Sequence, residues 1–197
     1  CVVGILDFVD LPSLLCLIGR WDSGWSGVRL AVEGWDLHDG ERCEEGRRFW
    51  FRRPSLFRDE ARRGRRSWGE LGDGQVRWYL HAAGEATVQR ESADLPSAAY
   101  QVSWLLNPGR LLTTVEIEEI AEAVCCGRQA WRVAGSVRAS TMNLPMPEAV
   151  LREWGDRVEF LVDGEHGVLL RLDRWLDGVQ VGHDELIEIE FDPPLGD

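Results

Sequence analysis

The chain contains no lysine, so all 22 of its basic residues are arginines. We attach no function to this absence, because arginine is specifically required only where it forks onto an anion or stacks on a ring. With 34 acidic residues the formal net charge is −12. Nucleic acids and anionic membranes attract basic surfaces, so this charge argues against nucleic acid as a partner and against an anionic membrane as the default location.

Long apolar runs are also missing. No stretch reaches the roughly 18 apolar residues that a membrane-spanning helix needs, so we predict no transmembrane segment. The chain begins at Cys1 and shows no signal peptide. As it stands, we expect a cytoplasmic protein; a signal or lipobox removed before Cys1 would instead put it outside the cytoplasm.

The cysteine pattern matches neither a zinc site nor a disulfide framework, because the number is odd and no C-x-x-C occurs. We therefore expect reduced, mostly buried thiols, no metal and no cofactor. The cysteines are Cys1, Cys16, Cys43, Cys125 and Cys126.

Catalytic motifs are absent too. The nearest match to G-x-S-x-G is GWSGV at 24–28, where Val28 replaces the second glycine, so we interpret Ser26 as a turn residue. The run 183–185 (His-Asp-Glu) has a metal-like composition, but neighbouring strand residues point to opposite faces. We therefore predict a protein that is not an enzyme and keep a hydrolase as the weakest alternative.

The 197 residues are predicted to form one mainly β domain of the α+β class. Apolar and polar residues alternate along most of the chain, for example on both sides of the glycine turn within 158–175. Such alternation indicates antiparallel strands covered on one face, about eight to ten of them. The predicted elements are a helix at about 11–20, sheet at 27–91, a helix at about 96–106, and sheet at 113–192.

The apolar faces of these strands are the candidate ligand-binding wall. Either they pack against the helices as a filled core, or some of them line a cavity, and the sequence leaves both open. The residues are Val28, Leu30, Phe49, Phe51, Trp78, Leu80, Trp131, Val133, Phe160, Leu170, Leu172, Ile187 and Ile189.

Positive charge is concentrated between residues 47 and 66, where nine arginines accompany two acidic residues. Two interpretations remain open: a solvated face that pairs with acidic strands, or a docking patch for an acidic partner or a lipid head group. The candidate docking residues are Arg52, Arg53, Arg62 and Arg63.

Five segments occur in a familiar order and spacing. They are FRRPSLFRDE (51–60), LGDGQVRWYL (71–80), GRQAWRV (127–133), VEFLVDGEHGVLLRLDRWLDG (158–178) and ELIEIEFDPPL (185–195). Together they resemble the LolA-like family of lipoprotein carriers, above all its uncharacterised relatives in high-GC Gram-positive bacteria, over roughly residues 11–195. The resemblance implies a curved, incomplete antiparallel barrel with helices plugging its concave face and a cavity that shelters acyl chains.

Two functional hypotheses follow. The first is a carrier or sensor that binds a lipid or a lipidated protein in a hydrophobic cavity, as the resemblance implies. The second is a regulatory module with a filled core that docks an acidic protein partner through the Arg47–Arg66 face.

Overall fold

The computed structural model describes residues 11–19, 24–52, 56–73, 75–81, 85–90, 105–138 and 155–194. These include two helices, α1 at Leu11–Ile18 and α2 at Gly109–Thr114, and residues 105–106 are also helical. None of the helical segments in this described part has the length and apolar character needed to cross a bilayer.

Eleven strands form one antiparallel sheet in the order β6-β5-β4-β3-β2-β1-β11-β10-β9-β8-β7. Two meanders, β1–β6 and β7–β11, meet where β1 pairs with β11. The strands are β1 Gly27–His38, β2 Glu41–Arg52, β3 Leu56–Arg63, β4 Arg66–Gly72, β5 Val76–Leu80, β6 Ala86–Arg90, β7 Val115–Cys125, β8 Arg128–Val137, β9 Arg157–Asp163, β10 Leu169–Leu176 and β11 Val179–Phe191. Among the described residues β6 and β7 are the two edges of this sheet and do not pair with each other, so the sheet is an open half-barrel, which confirms the predicted fold class.

Tight turns join many of these strands. Three of them are two-residue turns in which both residues have a positive φ: Asp39-Gly40, Cys126-Gly127 and Asp177-Gly178. This conformation matches the right-handed twist of a hairpin, and Asp-Gly is one of its preferred sequences. The turn chemistry therefore explains why the chain reverses at these points.

One face of the sheet, here called the helix-packed face, carries the core. Cross-strand pairing puts its side chains on a common side, and α1 adds Leu14 and Ile18 to the same cluster. The α1 helix is held close to the β9–β10 loop: a Cβ on Gly167 would lie 2.6 Å from the carbonyl oxygen of Leu17. Buried members on this face include Val28, Leu30, Phe49, Phe57, Val133, Phe160, Leu172 and Leu186.

A β-bulge changes the alternation of β11. Val32 pairs with Leu186 while the preceding Ala31 pairs with Glu188, so Ile187 is the extra residue. Leu186 is 2% exposed and Ile187 is 52% exposed. The prediction that Ile187 points inward is therefore wrong, because a bulge shifts the side-chain alternation by one residue.

The structure also contains one helix that the sequence pattern did not predict, α2, whereas β4 lies within the predicted sheet at 27–91 without having been recognised as a separate strand. The alternation of β4 is masked because Gly72 stands where the pattern would require an apolar side chain. A Cβ there would overlap the ring of Phe57, which fills that space from the neighbouring strand. The predicted helix at 96–106 lies outside the described residues except for its last two, and α1 occupies most of the predicted 11–20.

Candidate functional site

An open groove of about 770 Å³ lies at the ends of strands β1 to β5. Its volume is in the range of roughly 300–1,000 Å³ that is usual for small-molecule sites. Polar groups border it, including Arg52, Arg58 and Asp192. We call it the apolar groove, because most of its side chains are apolar: Val28, Trp50, Phe51, Leu56, Phe57, Leu71, Trp78 and Leu80.

Most of this groove lies on the face of the sheet opposite the core, here called the outer face. Trp50 pairs with Arg58, Arg58 with Leu71, and Leu71 with Trp78, so these side chains share one side of the sheet. Phe51, the strand neighbour of Trp50, points to the helix-packed side. The resemblance implied a cavity between sheet and helices, whereas this groove lies at the strand ends: Val28, Phe51 and Phe57 reach it from the helix-packed face and its other apolar side chains from the outer face.

The outer-face residues of the apolar groove are only partly covered. Leu56 is 50% exposed and Leu80 is 40% exposed. The Arg58 guanidinium lies 5.2 Å from the ring centroid of Trp50, and it also pairs with Glu60. Apolar side chains grouped in an open recess with polar groups at its border are typical of a binding surface.

A second recess of about 810 Å³ adjoins the first further along strands β1 to β4. The two recesses share Leu80. Arg48 and Arg62 line the second one and are exposed, and the described part of the chain offers neither of them an ion-pair partner. Three glutamates, Glu33, Glu60 and Glu188, belong to the same lining, and we call this recess the basic groove after its two exposed arginines.

The thirteen predicted wall residues fall into four groups. Six are buried in the core: Leu30, Phe49, Val133, Phe160, Leu170 and Leu172. Four line the apolar groove: Val28, Phe51, Trp78 and Leu80. Trp131 and Ile189 pack against the core while partly buried, and Ile187 lines the basic groove.

Two of these residues are on the side of the sheet that the sequence did not anticipate. Trp78 and Leu80 lie on the outer face, not on one wall with Phe49, because Leu71 pairs with Trp78 and Gly69 with Leu80. A strand pattern shows that side chains alternate, but it does not show how the faces of successive strands match.

The predicted docking arginines are spread over the same region. Arg52 lines the apolar groove and Arg62 lines the basic groove. Arg63 is exposed at the end of β3, and Arg53 lies outside the described residues.

Not every arginine of the 47–66 segment is exposed to solvent. The Arg47 side chain is only 13% exposed and pairs with Asp59 at 3.3 Å and with Glu45 at 3.7 Å. Burial raises the pKa of Asp59 to about 6, and the charge of Arg47 opposes this rise only in part. The Arg47 guanidinium is therefore largely buried and ion-paired within the protein, so Arg47 is not part of the docking surface.

Sequence reasoning missed four wall residues: Trp50, Leu56, Phe57 and Leu71. Trp50 alternates with arginines on β2, so the pattern assigned it to a polar, solvated face. The signal that would have identified it is that β2 carries aromatic residues on both faces, because Phe49 and Phe51 flank Trp50. A strand that is apolar on both faces either packs against protein on both of them or binds a ligand on the second face.

Two further groups of polar residues join parts of the chain that are distant in sequence. The Ser26 hydroxyl donates a hydrogen bond to the Asp192 carboxylate at 2.7 Å, which supports its interpretation as a turn residue. Among the described residues one group could hold a metal ion: Cys125, Cys126 and Glu185. Only Cys125 is buried among Cys16, Cys43, Cys125 and Cys126, so the prediction of mostly buried thiols is wrong for these four.

Comparison with known proteins identifies relatives in structure but not in sequence. No family model matches, and no curated protein matches. A chain of the MucA/MucB complex of Pseudomonas aeruginosa superposes with a TM-score of 0.56 at 14% identity, over 93% of this chain and 57% of that one. An uncharacterized conserved protein from Thermus thermophilus superposes with a TM-score of 0.54 at 10% identity, over 93% of this chain and 88% of that one.

A structure of MucB in complex with MucA(peri) gives a TM-score of 0.51 at 14% identity, over 95% of this chain and 57% of that one. This chain therefore spans little more than half of the chains from the two Muc complexes. At such identities the comparisons establish the shared fold and not the activity. The chain shares with these structures an open antiparallel half-barrel, which is the architecture that its sequence resemblance implied.

Proposed function

We propose that the protein binds an amphiphilic ligand, a lipid or an acylated peptide, and acts as a carrier or sensor without catalysis. The apolar groove is the observation that carries this proposal. Its Trp50, Leu71 and Trp78 walls lie outside the core and remain accessible. Burying an acyl chain against such walls stabilises the complex by about 0.8 kcal/mol per methylene group, so binding needs no catalytic residue.

The chemistry of the adjoining basic groove supports an anionic head group on this ligand. Arg48 and Arg62 face the outer side, next to the recess that Leu80 shares with the apolar groove. Arg48 and Arg62 make no ion pair within the described residues, although Glu60 lies opposite Arg48 on the neighbouring strand. Such an exposed guanidinium can bind a phosphate or a carboxylate through paired hydrogen bonds. The proposed ligand therefore has an apolar tail for the first groove and an acidic head for the second.

A filled core supports locating the site on the outer face. Phe49 is stacked between Phe51 and Phe57 at centroid distances of 6.4 and 6.5 Å, and it is 1% exposed. Leu30, Val133 and the other buried members of the predicted wall are packed in the same cluster. The space on the helix-packed face is thus occupied by side chains at these positions, while the outer face offers an open volume.

The proposal is tested by native mass spectrometry and by ligand titration. Protein purified from several hosts should carry a co-purifying lipid, and it should bind both a neutral and an anionic long-chain amphiphile. Leu80→Glu should weaken both by at least about tenfold, because it buries a charge in the apolar groove. Arg62→Glu should weaken only the anionic one.

The matched control is Val124→Glu, a substitution at an apolar residue of β7 that is 74% exposed and lines neither groove. It should bind both amphiphiles like the unmodified protein. Lipid-free protein from every host, together with no binding of either amphiphile, would contradict the proposal.

A second candidate function is the docking of an acidic protein partner through the exposed arginines of the 47–66 segment. Two observations favour it: Arg52 and Arg63 are solvent-exposed, and MucB, a structural neighbour, is described in complex with MucA. Reversing Arg52, Arg62 and Arg63 to Glu should then abolish partner binding. Leu80→Glu should leave it intact, which separates this function from lipid binding.

A further inference from the structure

Two consecutive cysteines lie where strand β7 ends: Cys125 is its last residue, and Cys126 is the first residue of the turn that follows. Their thiols lie close together. In an extended strand, adjacent side chains point to opposite faces. Cys126, however, has a φ of +52° and forms the turn to β8 with Gly127. This backbone leaves the two sulfur atoms 3.7 Å apart.

Cysteine is an unusual residue at this position of the turn. The equivalent positions of the two other hairpins of this kind hold Asp39 and Asp177, each followed by glycine. Aspartate is one of the residues that tolerate the left-handed region, whereas most other residues adopt it at a cost in backbone energy. A residue kept in an unfavourable conformation indicates a role for its side chain.

The fold adds a carboxylate to the two thiols. Glu185 of β11, which is 60 positions beyond Cys125, has its Oε1 atom 3.8 Å from the Cys125 sulfur. The Cys126 thiol donates a hydrogen bond to the Leu186 carbonyl at 2.9 Å, which holds the turn against β11. One ligand atom from each of Cys125, Cys126 and Glu185 lies within 4.8 Å of the others.

We propose that Cys125, Cys126 and Glu185 form a binding site for a thiophilic divalent cation of the zinc class. Zinc binds thiolate at about 2.3 Å and carboxylate at about 2.0 Å in tetrahedral geometry. Two such sulfur ligands lie about 3.8 Å apart, and a sulfur and an oxygen about 3.5 Å apart. The observed 3.7 and 3.8 Å are close to these separations, so small side-chain rotations complete the site.

The surroundings of Glu185 fit a metal-bound carboxylate. His183 Nε2 lies 3.6 Å from Glu185 Oε2, while His183 Nδ1 lies 2.7 Å from the buried Asp173 carboxylate. Arg171 also pairs with Asp173, at 2.5 Å. At 3.6 Å the imidazole makes no hydrogen bond to Glu185, but its contact with Asp173 holds the ring beside the proposed ligand.

The Cys125 thiol is protonated until a metal binds. Burial, followed by the neighbouring Cys126, raises the pKa of the Cys125 thiol to about 12. A protonated thiol is a poor nucleophile, so without metal this residue is not reactive. Cation binding must displace the proton of Cys125. Cys126 is exposed, which leaves a route for the ion and an open fourth position.

The experiment is a titration of the reduced protein with Zn²⁺ in competition with a chromophoric chelator, repeated with Co²⁺ to record its thiolate charge-transfer bands. One equivalent per chain is expected. Cys126→Asn keeps a residue that the turn favours, so it should fold normally, and it should bind Zn²⁺ at least about tenfold more weakly. Glu185→Gln, which preserves shape, should also weaken binding.

Cys43→Ser provides the control, because it removes a thiol on β2 that is outside the cluster. It should bind Zn²⁺ like the unmodified protein, and thermal melting should show all variants folded. Absence of binding to the folded, reduced protein would overturn the proposal. So would unchanged binding by Cys126→Asn, or an equal loss in Cys43→Ser.

Discussion

Replacing Phe49 with alanine tests whether the helix-packed face is a filled core. The side chain is 1% exposed and packs between Phe51 and Phe57. A buried aromatic side chain removes about 150–250 Å² from water, and about 25 cal/mol per Å² makes the lower figure worth about 4 kcal/mol. Core substitutions of this type cost about 3–5 kcal/mol. We expect Phe49→Ala to lower the free energy of unfolding by about 4 kcal/mol.

The measurement is urea denaturation followed by far-ultraviolet circular dichroism. With a denaturant dependence of about 2 kcal/mol per molar urea, the midpoint should fall by about 2 M at unchanged slope. Leu80→Ala on the outer face is the matched control and should cost less than about 1 kcal/mol, because its side chain is 40% exposed. A loss below about 1 kcal/mol for Phe49→Ala would refute the reasoning, because it would mean that Phe49 faces a cavity.

Three further outcomes follow from the structure. Gly167→Ala should lower the free energy of unfolding by about 2 kcal/mol by denaturation, because φ is +69° and the new Cβ would crowd the α1 backbone. Leu186→Ala should cost about 2–5 kcal/mol and Ile187→Ala less than about 1 kcal/mol; equal costs would contradict the bulge. Burial raises the pKa of both Asp59 and Asp184 to about 6, so between about pH 4 and 6 the folded state binds more protons than the unfolded state. The stability that these two groups contribute should therefore fall as the pH rises through about 6, and Asp59→Asn should flatten that slope in denaturation curves recorded from pH 5 to 7.5.

In the function proposed above, the two faces of the sheet have different roles. The helix-packed face holds the fold together through residues such as Phe160 and Val133, both fully buried. The outer face of β2 to β5 exposes Trp50, Leu71 and Trp78 beside basic residues. Substitutions on the first face should change stability, whereas substitutions on the second should change binding.

Several parts of the fold were predictable from local pattern. The alternation in β9 and β10 and the glycine turn between them predicted a hairpin with one apolar face, and Phe160 and Leu172 are buried as that pattern requires. Asp177-Gly178 predicted a turn because both residues can adopt a positive φ. These features depend on neighbours in the chain, which is why a sequence reveals them.

The candidate sites were less predictable, because they depend on residues that are distant in the chain. Trp50 on β2 and Trp78 on β5 line the same groove only because the pairing register of the two intervening strands, β3 and β4, puts both side chains on one face. The zinc-like cluster escaped the search for spaced cysteines, since its third ligand, Glu185, comes from a strand near the other end of the chain. No local motif records either arrangement.

By itself, the amino-acid sequence determined the antiparallel, mainly β class, several hairpin turns and part of the core, for example Phe160 and Leu172. The physical reason is that side-chain alternation and turn conformation are properties of short segments. Tertiary structure alone decided which face each strand presents to its neighbours, as the bulge at Ile187 demonstrates. It also decided that the accessible apolar surface lies outside the core, because strand register sets which side chains meet and a shift of one residue exchanges the two faces.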